Sequence, residues 1–346
     1  MAGLTLIQAS AVTVQVPLGA ATPLTLETVP PIGATSGASP RPSGSVQGPT
    51  PRGALEASVV GGREECSPWR WPGGRGEPAS SAMLVRVSSH AVETLSVASG
   101  ALRRTLPCTL LLPRGRAPEA VLYLLHGGYS HRTEWTERVD LAAMVSPWPL
   151  AVALPEGESS LWIHGHDGRD FERYTAFDVP EAVEAKLGIA PGRERRTVAG
   201  LSMGGLGALH LGLTHPERYA AVASISGAFG MTWWNIGRFE GSPFLPALGP
   251  LGSGTRARVD PWRTLERALA RVGPGGLPAL WLATGTEDDP EVTEAHRALH
   301  ASLDAAGVGH AYAERPGGHD WEFWRRETPA LLAFIAQECG LAPRSR

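Results

Sequence analysis

The chain has 346 residues and is rich in turn formers, with 42 Gly and 30 Pro. Apolar residues at 42% and charged residues at 19% exclude a wholly disordered chain and supply a sizeable core. The glycines follow no three-residue period, which excludes collagen. The balance of 31 basic against 34 acidic residues offers no excess charge for a nucleic-acid partner.

Gly and Pro fill 23 of the first 82 positions but only 49 of the remaining 264. No helical or strand period persists in residues 1–82, so this segment reads as a disordered extension, or as a spurious leader ahead of a start at Met83. Residues 83–346 read as one domain. Strands are predicted over 91–98 and 105–112, joined by a turn at Gly100. Ala120–Leu125 is a buried strand running into a His-Gly-Gly loop. Leu141–Met144 follows as a short helix, then a strand over Leu150–Leu154 and helical spacing over Asp178–Leu187. The strand Arg196–Ala199 precedes a small-residue helix, Met203–Thr214. Further strands are predicted at Ala220–Ile225, Ala279–Ala283 and His310–Ala313, with long helices at Glu291–Ala306 and Trp321–Gln337. Gly241–Gly254 reads as loop. Strands separated by helices imply an α/β fold: a doubly wound, mostly parallel sheet with helices on both faces.

The strongest local signal is Gly200-Leu201-Ser202-Met203-Gly204-Gly205, between a strand and a helix. Gly-x-Ser-x-Gly in that context is the form of a nucleophile elbow. The sharp turn raises Ser202 at the sheet's carboxyl edge, and it places the Met203 N–H at a helix N-terminus, facing a developing oxyanion. The serine needs a base. His319, in a Gly-Gly-His loop after the last strand, suits the final place in a Ser…Asp…His order. The acid belongs after the strand Ala279–Ala283, where Gly285-Thr286-Glu287-Asp288-Asp289-Pro290 stands. Asp288 is the choice there, with Asp289 as the cap before Pro290. His126-Gly127-Gly128 supplies a second oxyanion donor, the Gly128 N–H.

Leu124-Leu125-His126-Gly127-Gly128, the serine elbow, Gly285-Thr286-Glu287-Asp288 and Gly317-Gly318-His319-Asp320-Trp321-Glu322-Phe323-Trp324 follow one another in that order. Together they resemble the "Putative esterase" family of α/β-hydrolases, over about residues 90–338. That family holds tributyrin-type, feruloyl and acetylxylan esterases, S-formylglutathione hydrolases and mycolyltransferases. The motifs look most like the tributyrin-type and feruloyl-type esterases, whose last motif carries Trp around the histidine. The resemblance implies Ser202, Asp288 and His319 as a triad and the Gly128 and Met203 N–H groups as an oxyanion hole.

The expected activity is hydrolysis of short-chain acyl or aryl esters through an acyl-enzyme. The alternatives are acyl transfer by the same triad and a formylglutathione-type thioesterase; a non-catalytic binder of acylated ligands is disfavoured by the intact triad. Trp162 reads as a pocket wall, or else as a packed surface aromatic. Trp321 reads as a second substrate-binding indole; it, Trp324 and Trp233 are placed near the catalytic edge, Trp233-Trp234 in a region that suits a lid or an aromatic pocket. Short esters are favoured because rigid indoles bound the pocket and no long amphipathic lid is visible. His164, His166, Asp167 and Asp170 lack the spacing of a metal site, so no metal and no cofactor is expected. The expected partner is a small-molecule ester, with no nucleic acid and no membrane, and a homo-oligomer is compatible with the sequence. No stretch of about 18 apolar residues exists, and no basic-then-apolar secretory signal opens the chain. Three widely spaced cysteines, Cys66, Cys108 and Cys339, form no disulfide framework, and the expected location is cytoplasmic.

Overall fold

The computed structural model describes residues 90–233 and 241–343. The expected boundary near residue 82, together with Cys66 and Trp234, lies outside the described residues. Eight strands form one sheet: β1 (His90–Ser99), β2 (Arg104–Pro113), β3 (Ala120–Leu125), β4 (Leu150–Pro155), β5 (Arg196–Leu201), β6 (Ala221–Ile225), β7 (Ala279–Gly285) and β8 (His310–Arg315). Their spatial order is β1-β2-β4-β3-β5-β6-β7-β8. The pairs β1–β2 and β2–β4 are antiparallel, and every later pair is parallel. This is the α/β-hydrolase fold.

The central strands are apolar on both faces because both are covered. Every residue of β3, β4 and β6 is buried. One face lies beneath α4 (Val179–Leu187), α5 (Met203–Thr214), α8 (Pro261–Val272) and α9 (Pro290–Ala305). The other lies beneath α1 (Glu134–Arg138), α2 (Leu141–Val145) and α10 (Trp321–Glu338). The helix α5 is apolar all round and buried over Met203–Leu213, as expected of a helix at the centre of a layer. Its glycines let it lie close to the sheet: a Cβ on Gly212 would sit 2.2 Å from Val222 Cγ2.

The chain leaves β3 toward β4 on one side and returns through β5 on the other. The crevice at the carboxyl ends of β3 and β5 is therefore a topological switch point, the place where open α/β sheets bind ligands.

Several elements differ from the sequence reading. Helix begins earlier than Asp178: α3 (Phe171–Arg173) runs through a π turn (Tyr174–Asp178) into α4. Asp170 sets that start by accepting a hydrogen bond from the Arg173 N–H at 2.9 Å. Gly241–Gly254 is not all loop, since it contains α6 (Leu245–Leu248). Next come α7 (Gly254–Val259) and α8. The start of α8 follows the Asp-Pro rule: Asp260 caps it by accepting from the Arg263 N–H at 3.0 Å, with Pro261 next.

Candidate active site

Ser202 stands where β5 ends and α5 begins, with φ 51° and ψ −117°. A non-glycine residue there is strained, by about 1–3 kcal/mol, and must be held by its surroundings. Its N–H donates to the Ile225 carbonyl at 2.9 Å, and its carbonyl accepts from Leu206 and Ala228 at 3.1 and 3.0 Å. The flanking glycines are required by space. A Cβ on Gly200 would lie 2.4 Å from the Gly204 carbonyl carbon, and one on Gly204 would lie 2.5 Å from the Leu125 carbonyl oxygen.

His319 and Asp288 arrive from β8 and β7, on loops stitched to each other. The Glu287 N–H donates to the Gly317 carbonyl and the Thr286 N–H to the Arg315 carbonyl, both at 2.9 Å. His319 Nε2 lies 2.9 Å from Ser202 Oγ, and His319 Nδ1 lies 2.8 Å from Asp288 Oδ1. Asp320 fixes the exit of the histidine loop by capping α10, accepting from the Phe323 N–H at 3.0 Å. Trp324 meets the His319 ring edge-on at 5.1 Å.

The Asp288 carboxylate has no solvent exposure. Burial pushes its pKa up, but the His319 ring, the Ser226 hydroxyl and the Asp289 N–H together hold it below the ordinary carboxylate value. Asp288 therefore stays ionised and presents an acceptor to His319. Asp289 occupies the cap position of α9 ahead of Pro290, and its carbonyl, not its side chain, serves the first turn.

The His126-Gly127-Gly128 loop lies against the elbow. A Cβ on Gly127 would sit 2.7 Å from Leu201 Cδ1 and 3.6 Å from Ser202 Cβ. His126 pins this loop: the Gly157 N–H donates to His126 Nε2 at 3.0 Å, which leaves Nδ1–H to donate to the Gly127 carbonyl at 2.8 Å. Met203 is the first residue of α5, so its N–H has no acceptor within the helix.

Trp162, read as a pocket wall or a packed surface aromatic, lines no open surface. It is completely buried, with φ 62°, and its indole N–H donates to the His126 carbonyl at 3.3 Å. A Cβ on Gly157 or Gly207 would strike its ring at 2.2 or 2.6 Å. Trp162 is thus a buttress behind the His126 loop. Trp321 is half-buried. It makes edge contacts with Trp135 and Trp324, each at 5.3 Å, and donates to Glu134 Oε1 at 3.0 Å. Trp233 packs at a tilt on Trp262, 4.2 Å between ring centres, and its indole N–H donates to Asp260. His164 and Asp170 pair with each other, and Asp167 pairs with Arg169.

Three contributors were missed in the sequence. Ser226, at φ 49°, lies against Asp288. Phe244 covers Gly128: a Cβ there would lie 2.4 Å from the ring's Cζ. His296 is buried and stacked on Phe229 at 4.4 Å, with its pKa pushed down to about 4 by burial. Only Ser226 had a local signal, its place beside Gly227 at the end of a predicted strand.

The model of the "Putative esterase" family matches residues 99–335. The chain belongs to the Putative esterase family. Among relatives of this esterase, an acetyl esterase of Caldicellulosiruptor saccharolyticus is 27% identical over 218 residues, covering 59% of this chain and 79% of the relative. An esterase of Mycobacterium tuberculosis is 27% identical over 240 residues, covering 62% of this chain; the match spans about half of that relative, 52%. A solved fluorophosphonate-binding serine hydrolase of Staphylococcus aureus superposes with a TM-score of 0.64 at 21% identity, over 71% of this chain and 98% of that one. The esterase is by class a carboxylic ester hydrolase, within a family whose chemistry is ester hydrolysis or acyl transfer. No helix among the described residues is long and apolar enough to cross a membrane.

Proposed function

We propose that the esterase hydrolyses short-chain acyl or aryl esters of small molecules through an acyl-enzyme on Ser202. The observation that carries this reading is the unbroken Ser202–His319–Asp288 hydrogen-bond chain at 2.9 and 2.8 Å. His319 takes the serine proton as Ser202 Oγ attacks the ester carbonyl, then gives a proton to the leaving alcohol. The same ring next activates water to release the acid. Asp288 orients His319 and stabilises its charged form. The Gly128 and Met203 N–H groups receive the tetrahedral oxyanion, and loss of such a donor costs about 100–1000-fold in rate.

Preference for short acyl groups is supported by Phe244 over Gly128 and by Trp324 beside His319. Each ring lies beside a group of the proposed site, Phe244 against Gly128 and Trp324 against His319. Each methylene that finds room is worth only about 0.8 kcal/mol, and one that does not is repelled. The proposed catalytic domain is residues 83–346, so a chain begun at Met83 hydrolyses esters like the full chain. A cytoplasmic location is supported by Cys108 and Cys339, which are both buried free thiols.

The test combines labelling and substrate length. A fluorophosphonate probe labels the native chain and fails on Ser202→Ala. Nitrophenyl acetate and butyrate are turned over with higher kcat/KM than octanoate and palmitate. Labelling of Ser202→Ala would overturn the nucleophile. A kcat/KM that rises through palmitate would overturn the bounded pocket. Product appearing only with an added alcohol acceptor would assign acyl transfer instead of hydrolysis.

A further inference from the structure

The helix α9 and the strand β8 begin and end at the catalytic edge. Asp288 stands two residues before α9, and His319 four residues after β8. At the opposite end, the turn joining them is closed by backbone bonds: Val308 N–H to the Leu303 carbonyl at 2.9 Å and Gly307 N–H to the Asp304 carbonyl at 3.0 Å. Three side chains with metal-ligating atoms converge over this turn. One ligand atom each from His300, Asp304 and His310 falls within 4.8 Å of the other two.

Their arrangement is more ordered than a chance surface cluster. His300 and Asp304 stand one helical turn apart on α9, so they share a face, with His300 Nε2 at 3.6 Å from Asp304 Oδ2. His310 Nδ1 lies 2.8 Å from the Val308 carbonyl. Its N–H is directed there, which leaves Nε2 as the acceptor nitrogen. That nitrogen's lone pair points at His300 Nδ1, 2.7 Å away. Hydrogen bonding of the far imidazole nitrogen to a backbone carbonyl is the usual way a metal-ligating histidine is oriented and made more basic. The His300 ring is held flat on Tyr312 at 4.2 Å and 12°. The nearby cation, Arg297, is neutralised by a two-point pair with Glu314 at 2.9 and 2.7 Å.

We propose that His300, Asp304 and His310 form a binding site for a divalent transition ion of the zinc type, which staples α9 to β8. Two imidazoles and one carboxylate select zinc-like ions over magnesium or calcium, which want oxygen ligands. The ion takes the place of the proton held between the two imidazoles, and that proton is released to solvent. The nitrogens open from 2.7 Å to about 3.3 Å, the spacing of two ligands on a tetrahedral ion with bonds of about 2.0 Å. Asp304 supplies the third ligand and water the fourth. The site lies roughly 15 Å along α9 from its first residue, at 1.5 Å per residue, so the ion takes no part in ester chemistry and acts on stability.

The test uses the full chain, freed of metal by chelator dialysis and titrated with Zn²⁺ against a chromophoric chelator. The native chain is expected to bind one equivalent more than His300→Ala/His310→Ala. Each single histidine variant should lose affinity at least about tenfold, the lower end of what disturbing even an outer partner of a ligand costs. Zn²⁺ should raise the melting temperature of the native chain and leave that of the double variant unmoved. Both histidines are only half-buried, so circular dichroism is expected to show the double variant folded. Should it not be, Asp304→Asn, on an exposed residue, takes its place in both measurements. Equal Zn²⁺ binding by native chain and variant, or no binding by the native chain, would overturn the site.

Discussion

Gly285 and Gly317 cross so closely that a Cβ on Gly285 would lie 2.0 Å from the Gly317 carbonyl oxygen. The first residue ends the strand that leads to Asp288, and the second opens the loop that carries His319. Their crossing sets the distance between acid and base. Backbone on the far side cannot swing away as a flexible side chain would, so one methyl group must push the two loops apart.

Gly285→Ala is therefore expected to lower both stability and kcat. Overpacking of this kind costs about 1–3 kcal/mol, and the separation of Asp288 from His319 adds a loss of turnover. Gly275→Ala is the control, because a Cβ there meets nothing within 4 Å. Denaturant midpoints and kcat on nitrophenyl acetate check this; equal behaviour of the two variants would show that the crossing is not what spaces the loops.

Asp288→Asn is expected to reduce kcat by about four orders of magnitude, through the wrong histidine tautomer. Asp289→Asn should stay within a few-fold of native. The side chain of Asp289 makes no cap hydrogen bond, whereas its N–H already serves Asp288 Oδ1 at 2.8 Å. A severe loss at Asp289 with a mild one at Asp288 would move the acid by one residue.

What was legible in the sequence was local. The helix over Met203–Thr214 has the predicted bounds, because its glycines and its strand-to-helix turn are neighbours in the chain. That Ser202, Asp288 and His319 meet was legible too, since each follows a strand of one parallel sheet and so reaches the same edge. The burial of Trp162 was not. It depends on a loop in which Leu161 and Trp162 both take positive φ, at 57° and 62°, and no glycine marks them. Phe244 was equally hidden. It reaches Gly128 only because α6 is docked to a distant loop, where the His166 and Asp167 N–H groups donate to the Ala247 and Pro246 carbonyls at 2.7 and 3.1 Å.

That docking leads to a coupling between Gly128 and Phe244. Gly128→Ala places a methyl group 2.4 Å from Phe244 Cζ, which should displace the proposed oxyanion N–H and cut kcat by about 100-fold or more. Phe244→Leu makes room for that methyl. The double variant Gly128→Ala/Phe244→Leu should recover at least tenfold of the loss, a non-additive result expected of residues in contact. Additive losses in kcat would show that the ring does not press on the loop.

His296 is expected to set part of the acid sensitivity of the fold. Burial holds its folded pKa near 4, against 6.5 for an ordinary histidine. The unfolded chain therefore binds a proton between those values while the folded chain does not. The unfolded state is the one that gains protons as pH falls, so stability rises with pH across this window and is lost on going down through it. Over the full window one such group is worth about 3 kcal/mol. Below pH 4 both states carry the proton and the slope from this residue ends. His296→Phe keeps an aromatic ring against Phe229 but cannot titrate. Its unfolding free energy, measured by urea between pH 4 and 7, should follow a slope shallower by about one proton than the native chain. Parallel slopes for native and variant would mean that His296 is protonated alike in both states, and that the acid sensitivity arises elsewhere.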